Sequence, residues 1–120
     1  MTHRLTIKGH VPSKKNLWKR RRGGGLYIAS ADAKELESLL WQVKGQWSWG
    51  PLHRPSIYAR FFVLDGRSDL DNKWTAVQDV LVAAGVLTND SIASLPGPIT
   101  TEAILTDPGH ERVEIELEAR

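Results

Sequence analysis

The chain has 120 residues, of which 41% are hydrophobic and 25% are charged, the size and composition of one globular domain with a single core. It contains no cysteine, which excludes disulfides, zinc–thiolate sites, iron–sulfur clusters and thiol nucleophiles. No stretch reaches the roughly 18 apolar residues of a membrane span, and no secretory signal is recognisable. We therefore expect a cytoplasmic protein with no membrane partner.

The charge is divided unevenly along the chain. Residues 1–22 hold eight Lys and Arg and no acidic residue, whereas residues 23–120 hold eight Lys and Arg and 14 acidic residues. A strongly basic leading segment is therefore attached to an acidic body. Such an asymmetry favours a polyanionic partner, and phosphates are the commonest polyanionic groups.

The first half of the chain predicts a strand, a basic loop, a helix and a second strand. Apolar and polar residues alternate over 4–9, which predicts a half-buried strand. Residues 12–25 combine many Lys and Arg with three glycines, which predicts a flexible basic loop. Ser30 as an N-cap and apolar residues at three- and four-residue steps predict a helix over 31–46. Residues 56–64 are aromatic and β-branched enough for a central strand.

The second half predicts a helix followed by two strands. Residues 70–84 form a helical pattern whose inner stripe holds Trp74, Val77, Leu81 and Ala84. Residues 99–105 and 113–117 alternate in polarity, and the Asp-Pro-Gly turn at 107–109 predicts that they pair as a hairpin. The predicted fold is one α/β (α+β) domain over 1–120, with a mixed sheet, two helices and the order β-α-β-α-β-β.

Oxygen-bearing side chains gather where the second helix begins. Asp69 and Asp71 are one residue apart at a helix N-terminus, where free amides add positive potential. Two adjacent carboxylates repel each other unless a cation or proton intervenes. Mg²⁺ prefers such oxygen ligands, with Mn²⁺ as a substitute. A simple N-cap is the alternative interpretation. A calcium-binding loop is excluded because Lys73 and Trp74 occupy its fifth and sixth positions.

Four motifs in this order resemble the RusA family of Holliday junction resolvases over nearly the whole chain: Pro12-Ser-Lys-Lys-Asn16, Asp69-Leu-Asp-Asn72, Asp79-Val-Leu and Gly85-Val-Leu-Thr-Asn-Asp90. The resemblance implies a small, dimeric, Mg²⁺-dependent endodeoxyribonuclease of α/β fold that cuts branched DNA, common in phages and prophages. It also implies that the catalytic, metal-holding carboxylates are Asp69, Asp71 and Asp90. Further positions of supporting role are Arg67, Asn72, Asp79 and Asn89.

Two positions depart from the family pattern, because Asn89 replaces an aspartate and Thr75 replaces a lysine. A shift of two residues turns a side chain by about 200° around a helix axis. We therefore expect Lys73 to point away from the site rather than replace that lysine. We assign the missing positive charge to Lys14 or Lys15, with Arg67 as the alternative. The predicted DNA-binding residues are those of the basic loop, namely Lys14, Lys15, Asn16, Lys19, Arg20, Arg21 and Arg22.

The length of the second helix bears on the oligomeric state. A helix over 70–84 is roughly 22 Å long and separates Asp90 from Asp69 and Asp71. Either the chain doubles back or a partner supplies Asp90, and we favour a two-fold homodimer, whose symmetry matches that of a four-way junction. The predicted function is an Mg²⁺-dependent nuclease that makes paired nicks in Holliday junctions or other branched DNA. The alternative is a DNA-binding module of the same fold whose nuclease activity is weakened or lost, which Thr75 and Asn89 favour.

Overall fold

A computed structural model of the chain describes residues 2–12, 18–20, 26–28, 30–65, 70–88 and 97–119. Of residues 18–20, 26–28 and 30–32 it describes the backbone. The elements in chain order are β1 (Thr2–Lys8), β2 (Trp18–Arg20), β3 (Leu26–Ile28), α1 (Ser30–Gln46), β4 (Ser56–Val63), α2 (Leu70–Ala83), β5 (Ile99–Leu105) and β6 (Arg112–Glu118). Both helices and four of the strands lie within two residues of their predicted bounds.

The main sheet has four strands in the order β1-β6-β4-β5. Strand β6 runs antiparallel to both β1 and β4, whereas β4 and β5 are parallel. The predicted α+β domain with two helices and a mixed sheet is thus confirmed. Among the described residues, neither helix combines the length and the apolar character needed to cross a bilayer.

The predicted hairpin between β5 and β6 is wrong. Strand β6 lies between β1 and β4, with Ile115 opposite both Leu5 and Ala59. The difference follows burial, because Val113, Ile115 and Leu117 of β6 are fully buried on the face that the helices cover. Strand β5 is mostly exposed and lies beyond β4. The 107–109 turn therefore belongs to a connection that crosses the end of β4.

The predicted basic loop over 12–25, which we call the basic segment from here on, also differs from the prediction. Residues 18–20 and 26–28, which fall within or just after the predicted loop, form the antiparallel pair of β2 and β3, with Lys19 opposite Tyr27. Three glycines lie in the connection 21–25, and glycine-containing connections of this length are common in hairpins. The rest of the predicted flexible loop, apart from Pro12, lies outside the described residues.

The hydrophobic core lies between one face of the sheet and the two helices. Strand residues such as Ile7, Phe61 and Ile115 point into it, and Val43 of α1 and Val77 of α2 cover them at 0% exposure. The alternation of buried and exposed residues along β4 and β6 leaves every second side chain on the opposite face. We call that opposite face the outer face.

Two glutamines of α1 bond the free edge of β1. The Gln42 side chain accepts a hydrogen bond from the Lys8 amide at 2.7 Å and donates one to the Lys8 carbonyl at 2.8 Å. Gln46 makes the same pair of contacts with Thr6, at 2.9 and 2.6 Å. Each amide thus takes the place of a neighbouring strand, which satisfies an edge that would otherwise offer pairing sites to other chains.

We expect Gln42→Ala to lower the free energy of unfolding by about 1–2 kcal/mol, because two hydrogen bonds to the edge of β1 are lost. Urea titration monitored by circular dichroism measures the change. The control is Lys34→Ala on the exposed face of the same helix, which should stay within about 0.5 kcal/mol of the parent. Equal stability of the two variants would show that the glutamine contacts contribute nothing.

Candidate functional site

The ends of three strands and the start of α2 meet at one edge of the sheet. Because β6 is antiparallel to both β1 and β4, these two strands run in the same direction, and β5 runs with them. Their last residues, Lys8, Val63 and Leu105, therefore end at the same side. Helix α2 begins at Leu70, shortly after β4. We call this side the C-terminal edge, and in open sheets it is where ligands bind when strands are followed by helices.

The structure describes three of the predicted site residues in full. Asp71 is exposed in the first turn of α2, and Asn72 beside it is partly buried. Asp79 lies eight residues further, or about 12 Å along the helix, and lines a cavity of about 240 Å³ between the helices. The structure therefore does not bring Asp79 to Asp71. Lys19 and Arg20 are placed by their backbone in β2. Outside the described residues lie Lys14, Lys15, Asn16, Arg21, Arg22, Arg67, Asp69, Asn89 and Asp90.

Of the three predicted metal ligands, Asp71 falls among the described residues, and Asp69 and Asp90 lie outside them. Within the described residues, no three His, Asp or Glu side chains are grouped closely enough to hold a metal. The donor chemistry of the predicted set still fits Mg²⁺, because all three of its members are carboxylates. The Asp71 side chain is at the solvent-facing start of a helix, where a ligand has access.

Lys73 is the buried charge at this edge, with 4% of its surface exposed. Its Nζ donates a hydrogen bond to the carbonyl oxygen of Val11, at 2.6 Å. Burial lowers the pKa of the Lys73 ammonium below its ordinary value of 10.5, and nearby carboxylates, chiefly Glu111, oppose part of that shift. The contact links the first turns of α2 to the residue before Pro12, where the basic segment starts.

The burial of Lys73 was not predicted, although the sequence pattern contains a signal for it. Asp71 is exposed while Lys73 is buried, so the two side chains do lie on different sides of α2. However, position 73 lies four residues before Val77 and eight before Leu81, on the inner stripe itself. The buried residues of α2 are accordingly Lys73, Trp74, Ala76, Val77, Val80 and Leu81.

The surroundings of Lys73 come from several separate parts of the chain. A cavity of about 170 Å³ is lined by His10, Val63, Leu64, Asp65, Lys73 and Glu111. His10 Nδ1 lies 3.1 Å from Glu111 Oε2. The Gly9 amide donates to the Glu111 carbonyl at 2.9 Å. The end of β1, the end of β4, the connection before β6 and the start of α2 are thus fixed against one another.

Thr75, which stands where the RusA-family pattern has lysine, is bonded within its own helix. Its Oγ1 donates to the carbonyl oxygen of Asp71 at 2.8 Å. A hydroxyl used in this way bonds back to the previous turn of its own helix and brings no charge. A positive group at the predicted site would therefore have to come from another position in the chain.

The comparisons with known proteins leave the chain without an assigned family. No family model matches it, and no curated protein matches it. The contacts at the C-terminal edge are therefore the observations from which its function is inferred.

We expect the stability of the protein to rise with pH on the alkaline side because of Lys73. Between its lowered pKa and 10.5 the unfolded chain binds more protons at this residue than the folded chain, so the free energy of unfolding increases with pH in that window. In Lys73→Met this contribution disappears, because methionine does not titrate.

Urea unfolding of both proteins from pH 7 to about 10.5 checks this expectation through the difference between the two curves. Lys34→Met is the control, since Lys34 is exposed to solvent on α1. Parallel pH profiles for the parent and Lys73→Met would contradict the assignment of a buried, titrating ammonium.

Proposed function

We propose that the protein is an Mg²⁺-dependent, structure-selective endodeoxyribonuclease that acts as a homodimer and resolves Holliday junctions or other branched DNA by paired nicks. One observation carries the proposal, namely the hydrogen bond from Lys73 to Val11 at the C-terminal edge. It joins the start of the basic segment to the start of the helix that bears Asp71. The segment that would bind phosphates and the helix that would bear a metal ligand therefore begin beside each other.

The basic segment is the part of the chain that would bind the phosphate backbone. Lys14 and Lys15 follow Val11 by three and four residues, and a chain of four residues reaches at most about 14 Å. From there either lysine can contact a phosphate near α2 and stabilise negative charge that develops on it. Binding of this kind is strong, depends steeply on salt and carries little information about base sequence.

Asp69, Asp71 and Asp90 would hold the Mg²⁺ of this site. When bound, such an ion supplies charge neutralisation at the phosphodiester and a water of lowered pKa. The task of the chain itself is to orient the carboxylates and to keep the scissile phosphate between them and the basic segment. Asp71 contributes from the first turn of α2, where the amides at the helix start favour anionic groups.

The position of the end of α2 favours a shared site in the dimer. Helix α2 is about 20 Å long, and after it the Leu52 amide donates to the Val86 carbonyl at 2.7 Å. Leu52 precedes the start of β4, so Leu87 lies towards the edge opposite Asp71. In the proposed arrangement, Asp90 therefore joins Asp69 and Asp71 of the partner subunit.

A second candidate is a DNA-binding module of the same fold without nuclease activity. The contact between Thr75 and Asp71 favours it, because that hydroxyl serves the helix and the family lysine is missing. The two candidates share the basic segment and differ only in whether DNA is cut.

We expect the protein to nick a synthetic four-way junction in the presence of Mg²⁺ and to leave linear duplex intact. Asp71→Asn should reduce the single-turnover rate by roughly 100-fold or more, since a bound metal supplies several kcal/mol to the transition state. Glu118→Gln, the same carboxylate-to-amide change at the exposed end of β6, should keep the parent rate. Tight binding of the junction without cutting in Mg²⁺ or Mn²⁺ would favour the second candidate.

Mixing two inactive variants tests the shared site. If Asp90 acts across the dimer, a heterodimer of Asp71→Asn and Asp90→Asn subunits contains one intact site and one doubly altered site. We then expect mixing to restore nicking of one strand, while each variant alone stays inactive. If Asp90 acts within its own chain, every site in the heterodimer has one defect, and no activity returns.

A further inference from the structure

The outer face of the sheet is charged, and in its middle rows the basic side chains pair with acidic ones. Arg4 Nε lies 3.4 Å from Glu116 Oε1, its partner in the register of β1 and β6. In the next row, Arg60 Nη2 lies 3.6 Å from Glu114 Oε1, again a cross-strand partner. Opposite charges that face each other in this way stabilise a sheet modestly. Glu102 lies on the other side of Arg60, so these rows hold at least as many acidic as basic side chains.

The last row, at the C-terminal edge, is different. The register places Lys8 directly opposite Arg112, and Phe62 lies on the other side of Arg112. Two positive charges thus face each other at the end of the sheet, an arrangement that is unfavourable in isolation. Glu114, one row away, is shared between Arg60 and Arg112. The end of the outer face consequently keeps an excess of positive charge.

Arg112 is held in one orientation. Its Nε donates to Glu114 Oε2 at 3.0 Å, and its Nη1 donates to the carbonyl oxygen of His110 at 3.0 Å. The guanidinium also lies 3.7 Å from the centre of the Phe62 ring. A guanidinium oriented in advance loses little side-chain entropy when it binds a phosphate.

An open cleft of about 330 Å³ lies at this row, lined by Lys8, Gly9, Gly109, His110, Glu111 and Arg112. Gly9 and Gly109 have φ angles of +107° and +88°, which glycine adopts readily, and their backbone has open space around it. The only acidic side chain of the lining, Glu111, lies against His10. With Lys8 and Arg112 against Glu111, the lining carries an excess of one positive charge beside accessible backbone.

The cleft adjoins the proposed DNA-binding segment. Lys8 lies three residues before Val11, the residue that Lys73 holds, and Gln42 fixes the backbone of Lys8 from the side of α1. An extended polyanion bound by the basic segment at the C-terminal edge would meet Lys8 and Arg112 next. A small anion would not need both surfaces.

We propose that Lys8, His110 and Arg112 form a second phosphate-contacting surface, which binds the backbone of the DNA arm that leaves the C-terminal edge. The proposal rests on the proposed function and adds residues outside the basic segment. It assigns binding to these residues and no part in the cleavage step.

The test compares Lys8→Ala and Lys8→Glu with the matched variants Arg4→Ala and Arg4→Glu. Arg4 is on the same strand and the same face, and its side chain is 79% exposed. The affinity of each variant for junction DNA is measured between 50 and 200 mM salt. Ca²⁺ replaces Mg²⁺ so that the complex is catalytically inactive. Lys8→Ala should lower the slope of log K against log salt by about one, and the parent-to-variant affinity ratio should change about fourfold over this range. Arg4→Ala should leave the slope unchanged.

Stability measurements separate binding from folding. Lys8→Glu faces Arg112 with an opposite charge, so its thermal midpoint should equal or exceed that of the parent while its DNA affinity falls further than that of Lys8→Ala. For both variants, the nicking rate at saturating junction should match the parent, and only the half-saturating concentration should rise. A lower rate at saturation would overturn the assignment to binding alone.

The possible failures are distinguishable. If the parent binds no DNA, the proposed function fails and this surface with it. If the parent binds DNA and the Lys8 and Arg4 variants behave alike, the second surface is overturned while the proposed function stands. An effect of Lys8 that appears equally with single-stranded RNA of the same length would overturn the assignment to a DNA arm.

Discussion

The insertion of β6 between β1 and β4 is the constraint on which the rest of the structure depends. Because β6 is antiparallel to both neighbours, β1, β4 and β5 all end at the same side. That side then receives the start of the basic segment, the start of α2 and the connection that crosses β4. If β5 and β6 paired as a hairpin beside β4, β6 would not join β1 to β4, and these parts would not meet at one side of the sheet.

Buried and exposed charges have different tasks in this fold. Lys73 is desolvated, which is unfavourable for an ammonium, and its short hydrogen bond to Val11 offsets part of that cost. The bond fixes one segment to another and supplies no surface charge. On the outer face, ion pairs such as Arg4 with Glu116 are exposed and individually weak. These pairs contrast with the last row of the sheet, in which two positive side chains, Lys8 and Arg112, face each other.

The sequence predicted the bounds of the helices and strands well and the pairing of the strands poorly. Periodicity located β4, α2 and β5 almost to the residue, because alternation and helical spacing record which side chains are buried. The same alternation does not record which strand lies beside another, so the pairing of β6 was predicted wrongly. Lys73 shows a further limit. Its place on the inner stripe of α2 favours burial, whereas a lysine side chain is seldom buried. The carboxylates expected at the metal site, apart from Asp71, lie outside the described residues and remain predictions.

The register of β1 with β6 also has a consequence for biosynthesis. Thr2 pairs with Glu118, and Lys8 pairs with Arg112, so β1 is synthesised well before the strand with which it pairs. Pairing between such distant segments is slow compared with local contacts. The basic segment is therefore synthesised before β6, and the pairing of Lys8 with Arg112 at the end of the sheet forms only after β6 has been made.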